Sequence, residues 1–354
     1  MPRLLIVALV SLLGTSFAAD NLRAAAHGRV RIGTAAKPGF ITADNRYAAT
    51  LAREFDQLEP ENETKWSVLR PAQDRFDFAP ADDLVRFAKQ NGMVVRGHTL
   101  LWHQAIPKWL GEGQWSWNEL SQLMADHIQT VVKHFAGSIF AWDVVNEAFH
   151  PDGSLRSSLW YDSPGIGAEG PYGYIERAFV LAHAADPQAK LFYNDYAFEA
   201  GGPKFEAILA MARDFKKRGV PLDGIGFQCH FTLDSIAAAA LERTMRAFTE
   251  LGLEVHITEL DVRLPVDGNG QATPRDLERQ AQLYNEVVQT CLKVKGCNVI
   301  QVWGFSDARS WIPHTFKGYG AGTIFDQEYR AKPAYAAVLD ALSQTTTRGA
   351  SSRK

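Results

Sequence analysis

Eight strand-like segments alternate with helix-like segments along nearly the whole chain, with no break in composition between them. The strands read Arg31–Thr34, Phe55–Pro60, Val94–Leu101, Phe140–Asn146, Leu191–Asn194, Gly224–His230, Val255–Leu260 and Val299–Gly304. Amphipathic helical stretches follow at Tyr47–Arg53, Ala81–Gln90, Trp117–Phe135, Tyr172–Ala185, Lys204–Arg218, Ile236–Leu251 and Pro274–Lys293. An eighth begins near Pro333, where proline suits a first helical turn. Asn91-Gly92 and Gly219 read as helix stops. Eight such alternations point to a single (β/α)8 barrel. An open doubly wound sheet is the alternative, but no G-x-G-x-x-G follows the first strand. With 354 residues and 46% hydrophobic content, the chain can bury one large core.

The barrel domain is expected over residues 19–342. Before it, Arg3 and the apolar run Leu4–Leu13 have the form of a secretory signal, with Ser16 and Ala18 at the small-residue positions. Cleavage is expected after Ala18, or after Ala19 as second choice. The apolar run is too short to span a bilayer, so the mature protein is expected to be secreted or periplasmic, with no membrane partner. Residues 343–354 are polar and low in complexity, and are expected to be disordered. The formal charge is only −3 and no basic run stands out, which argues against nucleic acid as a partner. Nine Trp and ten Tyr are many for a soluble chain, and their faces suit the apolar sides of pyranose rings. A monomer is expected.

The chain has three cysteines. Cys229 lies in an apolar run and reads as a buried thiol. Cys291 and Cys297 are close enough in sequence to close a small loop, with Lys293, Lys295 and Gly296 between them; two free thiols are the alternative.

Two strands end in an acid that a buried strand has no structural reason to carry: Trp142-Asp143-Val144-Val145-Asn146-Glu147 and His256-Ile257-Thr258-Glu259-Leu260-Asp261. Glu147 and Glu259 fall on the fourth and seventh strands, roughly opposite across a barrel mouth. Two carboxyl groups facing each other are what glycosidic bond cleavage requires, one to give a proton and one to attack. The other out-of-place polar residues also fall at strand ends: Glu61, Asn62 and Lys65, then His98, Trp102 and His103, Asn194 and Asp195, Gln228 and His230, and Trp303 followed by Trp311. Any one of them alone is best read as a satisfied buried group. Together, at one end of one barrel, they cost stability unless they bind something. The long segment 150–171 after the fourth strand lies at the same C-terminal face. Asp261 is placed to orient His230, and His230 to bond Glu259.

The motifs Glu61-Asn62-Glu63-Thr64-Lys65-Trp66, Gly97-His98-Thr99-Leu100-Leu101-Trp102-His103, Trp142–Glu147, Gly226-Phe227-Gln228-Cys229-His230, Ile257–Asp261 and Val302-Trp303-Gly304-Phe305-Ser306-Asp307 run from the second strand to the eighth. In these the chain resembles glycoside hydrolase family 10, the retaining endo-β-1,4-xylanases. The resemblance implies a xylan-hydrolysing enzyme, with Glu147 as acid/base and Glu259 as nucleophile. Glu61, Asn62, Lys65, His98, Trp102, Asn146, Gln228, His230, Trp303 and Trp311 would line the sugar sites, and Asp261 would support His230. The resemblance also implies a disulfide between Cys291 and Cys297. Xylan and xylo-oligosaccharides would be the partners. The chain departs from the family's usual residues at Thr64, Arg70, Gln104-Ala105 and Ala197.

Three other readings compete. A β-1,4-glucanase would share the paired acids on a similar barrel. A sugar-binding barrel without catalysis would usually have lost one acid, and both are present. A catalytic metal is not expected, because His98 and His103 have no Cys/His/Asp cluster at ligand spacing. No cofactor is expected either.

Overall fold

A computed structural model gives the structure over residues 20–162, 170 and 172–344. The expected signal segment, part of the loop after the fourth strand and the tail from residue 345 lie outside the described residues. Eight parallel strands form the barrel: β1 (Arg31–Ala36), β2 (Gln57–Pro60), β3 (Val94–Trp102), β4 (Ile139–Asn146), β5 (Lys190–Asp195), β6 (Gly224–Phe227), β7 (Glu254–Val262) and β8 (Cys297–Val302). Each pairs with the next, and β8 closes on β1 with Arg31 opposite Val299 and Thr34 opposite Val302. The surrounding helices are α1 (Asn45–Glu54), α2 (Ala79–Gln90), α3 (Trp117–His134), α4 (Gly173–Ala185), α5 (Pro203–Arg218), α6 (Ala238–Thr249), α7 (Pro274–Lys293) and α8 (Pro333–Ser343). The last of these takes in Ser343, the first residue of the expected tail.

Local chemistry sets these boundaries. At the start of α3, the Ser116 hydroxyl accepts from the Glu119 N–H while the Glu119 carboxylate accepts from the Ser116 N–H, which satisfies two otherwise orphaned groups. Gly219 ends α5 in the left-handed region (φ 74), a conformation that costs glycine nothing. Helix α7 turns Leu283, Tyr284, Val287, Val288 and Cys291 inward, and α8 packs on it through a stripe of Ala334, Val338, Ala341 and Leu342. Each large apolar side chain buried in this way contributes about 1.5–3 kcal/mol. Cys291 and Cys297 are joined by a disulfide that ties the end of α7 to the start of β8, and Cys229 is a buried free thiol.

All eight strands differ from the expected bounds by one to three residues at an end, and two of these shifts have a clear local cause. The second begins at Gln57 rather than Phe55, because the Phe55 N–H caps α1 by donating to the Leu51 carbonyl. The sixth was expected to run unbroken to His230. It stops at Phe227 and resumes as a two-residue strand, His230–Phe231, beside Asp261 and Val262. Between them Cys229 takes a left-handed conformation (φ 61), and its N–H donates to the buried Glu199 carboxylate at 2.9 Å instead of to a neighbouring strand.

The inside of the barrel is unusually polar. Gln57 donates to Gln301 (2.7 Å), and Gln301 donates to Glu59 (2.7 Å) and to the Thr258 carbonyl (2.6 Å). The fully buried Arg96 directs its fork onto Asp143, with Glu59 at 3.4 Å and His256 Nδ1 at 2.9 Å. Such a network is tolerated only where its members are mutually bonded. Here it forms the floor beneath the C-terminal mouth.

Candidate active site

The mouth opens into a cleft of about 960 Å³. Glu147 follows directly on β4 with a left-handed backbone (φ 57). That conformation costs a non-glycine residue about 1 kcal/mol or more. It is held by the Glu147 N–H donating to the Asn194 carbonyl (2.9 Å) and by Arg156 donating to the Glu147 carbonyl (3.1 Å). The Glu147 carboxylate accepts from Trp102 Nε1 (3.0 Å), Gln228 Nε2 (2.9 Å) and Asn146 Nδ2 (3.2 Å).

Glu259 lies within β7 and is bonded differently. Asn194 Nδ2 donates to one of its oxygens at 2.7 Å, and His230 Nε2 meets the other at 3.0 Å. His230 Nδ1 meets Asp261 at 3.0 Å, and Trp311 Nε1 donates to the same Asp261 oxygen at 2.8 Å. Burial alone would pull the His230 imidazole down, but the Asp261 charge and hydrogen bond, with those of Glu259, push it up to about 10. His230 is therefore an imidazolium that donates from both nitrogens. Burial likewise works to raise the Glu259 carboxyl. The His230 hydrogen bond, the charges of His98 and His230 and the Asn194 amide outweigh it, so Glu259 is held below the usual carboxylate range and stays ionised.

Three amides lie between the two carboxylates. Asn146 Oδ1 accepts from Asn194 (2.9 Å) and Gln228 (3.2 Å), and the Thr258 hydroxyl donates to Asn194 Oδ1 at 2.7 Å. Asn194 thus reaches Asn146 and Glu259 from one nitrogen. Its approach depends on Gly226, where an added Cβ would sit 2.2 Å from Asn194 Oδ1.

The opposite wall carries Glu61, Asn62 and Lys65. Lys65 Nζ is 3.1 Å from Asn62 Oδ1 and lies over the Trp102 ring (5.1 Å) and the Trp303 ring (5.8 Å), while Glu61 pairs with Lys37 at 2.8 Å. His98 is fixed by Asp143 at Nδ1 (3.0 Å) and stands edge-on to Trp303. Thr64 exchanges hydrogen bonds with the His98 backbone, donating to its carbonyl at 2.6 Å. The hydroxyl at this position thus ties the second strand's end to the third.

Every sequence-derived sugar-site residue from Glu61 to Trp311 therefore faces one cleft, although Trp102, Asn146, Gln228 and His230 also touch an acid directly. Sequence reasoning noted Asn194 as a strand end without assigning it to the site. It passed over Arg96, Glu59 and Asp143, whose signal was a charge inside an otherwise apolar strand. Glu59, His98 and Asp143 are the three-residue cluster of metal-ligating type among the described residues. The Arg96 guanidinium already supplies the positive charge there.

Substituting His230 with alanine is expected to move the acidic limb of the kcat/KM profile to higher pH. The sign follows from Glu259: a carboxyl whose value is held down loses its main hydrogen-bond donor and is left to burial, which raises it. A pH–rate series on the variant tests this, and an unmoved limb would show that His230 does not keep Glu259 ionised.

Residues 21–341 match Glycosyl hydrolase family 10. The chain is 40% identical over 317 residues to endo-1,4-beta-xylanase B of Thermotoga neapolitana, covering 89% of each chain. It is 38% identical to endo-1,4-beta-xylanase A of Phanerodontia chrysosporium, covering 91% of this chain and 76% of that one. Among solved structures, xylanase 10B of Thermotoga petrophila RKU-1 in complex with xylobiose superposes with a TM-score of 0.87 at 40% identity, covering 91% of this chain and 97% of that one.

Proposed function

The chain belongs to glycosyl hydrolase family 10, and from that premise we propose how its cleft hydrolyses internal β-1,4-xylosidic bonds of xylan with net retention. Glu259 attacks the anomeric carbon while Glu147 gives its proton to the departing glycosidic oxygen. The bond to the leaving sugar breaks as the bond to Glu259 forms. Glu147, now a carboxylate, takes a proton from water, and the resulting hydroxide displaces Glu259 from the sugar. Glu147 ends protonated and Glu259 ends ionised, as both began.

The observation that carries this reading is the unequal setting of the two acids. Glu259 faces an imidazolium and an amide, which favour a permanent negative charge. Glu147 is bonded by the neutral donors Trp102, Gln228 and Asn146, which suit a group that must both lose and regain a proton. Lys65 and Asn62, with Trp303 and Trp311 beside them, bind the sugar just before the cut. Crowding of a C6 hydroxymethyl group by these tryptophans would favour xylose over glucose.

The test is the anomer first formed. Proton NMR of early xylo-oligosaccharide hydrolysis is expected to show the β-anomer, and the α-anomer would end the double-displacement reading. kcat/KM is expected to be at least tenfold higher on xylo- than on cello-oligosaccharides, the order of discrimination set by fitting or excluding a small substituent. Near-equality would favour the glucanase alternative.

The enzyme acts outside the cytoplasm as a monomer. The signal-like run Leu4–Leu13 and the Cys291–Cys297 disulfide support export. None of the described helices is long and apolar enough to cross a membrane. The exposed large hydrophobics among the described residues are the scattered Tyr161, Val180 and Tyr319, which supports a monomer.

A further inference from the structure

Among the described residues, four basic side chains line the cleft: Lys65, His98, His230 and Arg263. Three of them have acids to answer them. His98 meets Asp143, His230 lies between Asp261 and Glu259, and Lys65 sits in the field of Glu259 and Glu61. Arg263 is different. No described carboxylate lies within ion-pair distance of it, and its guanidinium makes no hydrogen bond to a described residue. Its side chain rests on Phe316, whose ring centroid lies 4.3 Å beneath the guanidinium carbon. Phe316 in turn stands edge-on to Trp311 at 5.4 Å.

The position follows from strand periodicity. Glu259, Asp261 and Arg263 share one face at two-residue spacing, and four residues of extended chain place Arg263 about 13 Å above the nucleophile. Its own N–H donates to the Phe231 carbonyl at 2.9 Å, which continues the β7 pairing and fixes the backbone. The ring beneath fixes the plane of the side chain, and the five N–H donors along the edge are left free. The main chain of xylan is neutral and offers only hydroxyls and ring oxygens. The cleft already meets such groups with amides and indoles. A half-buried cation without an acidic partner among the described residues is matched instead to an anion brought by the substrate.

Resting on the xylanase reading above, we propose that Arg263, laid on Phe316, forms a side subsite for the carboxylate of a uronic-acid branch on the xylan chain. A planar carboxylate fits the guanidinium edge with two parallel hydrogen bonds. The site recognises the branch and takes no part in the bond cleavage.

The probes are a xylo-oligosaccharide with one glucuronic acid branch, the same oligosaccharide with that carboxyl reduced to an alcohol, and an unbranched xylo-oligosaccharide of equal length. The wild-type enzyme is expected to favour the acidic form over its reduced twin about fivefold in kcat/KM, the scale of a partly exposed ion pair. The preference should fade as salt is raised. In Arg263→Gln the ratio is expected to fall to about one, with Arg263→Lys in between, because lysine keeps the charge and loses the fork. A wild-type ratio of one or below overturns the proposal without any variant. So do equal losses on all three probes in Arg263→Gln, which would assign the side chain to neutral sugar hydroxyls. If the wild type fails on the unbranched probe, the xylanase reading itself has failed, and the two failures are thereby told apart.

Discussion

Replacing Glu259 with alanine is expected to lower kcat/KM on xylan by on the order of 10⁴-fold or more, equivalent to about 5.5 kcal/mol of lost transition-state stabilisation. The loss should be as deep on aryl xylosides with good leaving groups, because no covalent intermediate can form whatever departs. The fold should survive. Glu259 contributes a charge to the site and little to packing, and its removal leaves the His230–Asp261 pair intact at 3.0 Å. Added azide is expected to restore turnover by entering the vacated side of the sugar, giving a product of inverted anomeric configuration. Measuring kcat/KM on both substrate types, with the anomer of the azide product, checks each part. Wild-type-like turnover of aryl xylosides by the variant would remove Glu259 from the nucleophile's role.

Replacing Glu147 with alanine is expected to split the substrates. On xylan, where the departing sugar oxygen needs a proton, kcat/KM should fall by about 10²–10⁴-fold, the range that a positioned general acid supplies. On an aryl xyloside whose leaving group departs unaided, the first step should proceed nearly as before. The second step still lacks its base, so the sugar should accumulate on Glu259, seen as a burst of the aryl product and a low apparent KM. Azide should then speed turnover and yield a product of retained configuration, opposite to that from the Glu259 variant. Equal losses on the two substrate types would withdraw Glu147 from proton transfer. The two amides that hold Glu147 are linked, since Gln228 donates to Asn146, and Asn194 joins Asn146 to Glu259 by donating to both. A carboxamide at position 147 keeps the size of the side chain and removes the titrating proton, but its NH2 faces a donor, either the Trp102 indole or the Gln228 and Asn146 amides, so it serves as a second variant that costs a hydrogen bond.

Much of the fold was legible because a barrel built by alternation is periodic in sequence. Each strand is a short buried run and each helix an amphipathic stretch, so the eight units could be counted before any contact was known. The ends were less certain for local reasons. Phe55 reads as strand and serves as a helix cap. Cys229 reads as strand and breaks it, because Glu199, thirty residues earlier, takes its N–H. The acids and the tryptophans were found because each is out of place in its own segment. Asn194 was harder to place, since an amide at a strand end has many innocent readings. Its importance depends on Asn146, Gly226, Thr258 and Glu259, which come from three other strands.

Local pattern was sufficient for the eightfold alternation, the parallel direction of the strands and the two carboxylates at strand ends, because these depend on neighbours along the chain. The chain from Asp261 through His230 to Glu259 was also legible at that level, while the folded molecule added the Asn194 amide to Glu259 and set two amides and an indole around Glu147. That Arg263 has no ion partner among the described residues also emerges only there. A side chain lacks an ion partner through the arrangement of everything within a few ångströms of it, and closure of the barrel sets that arrangement.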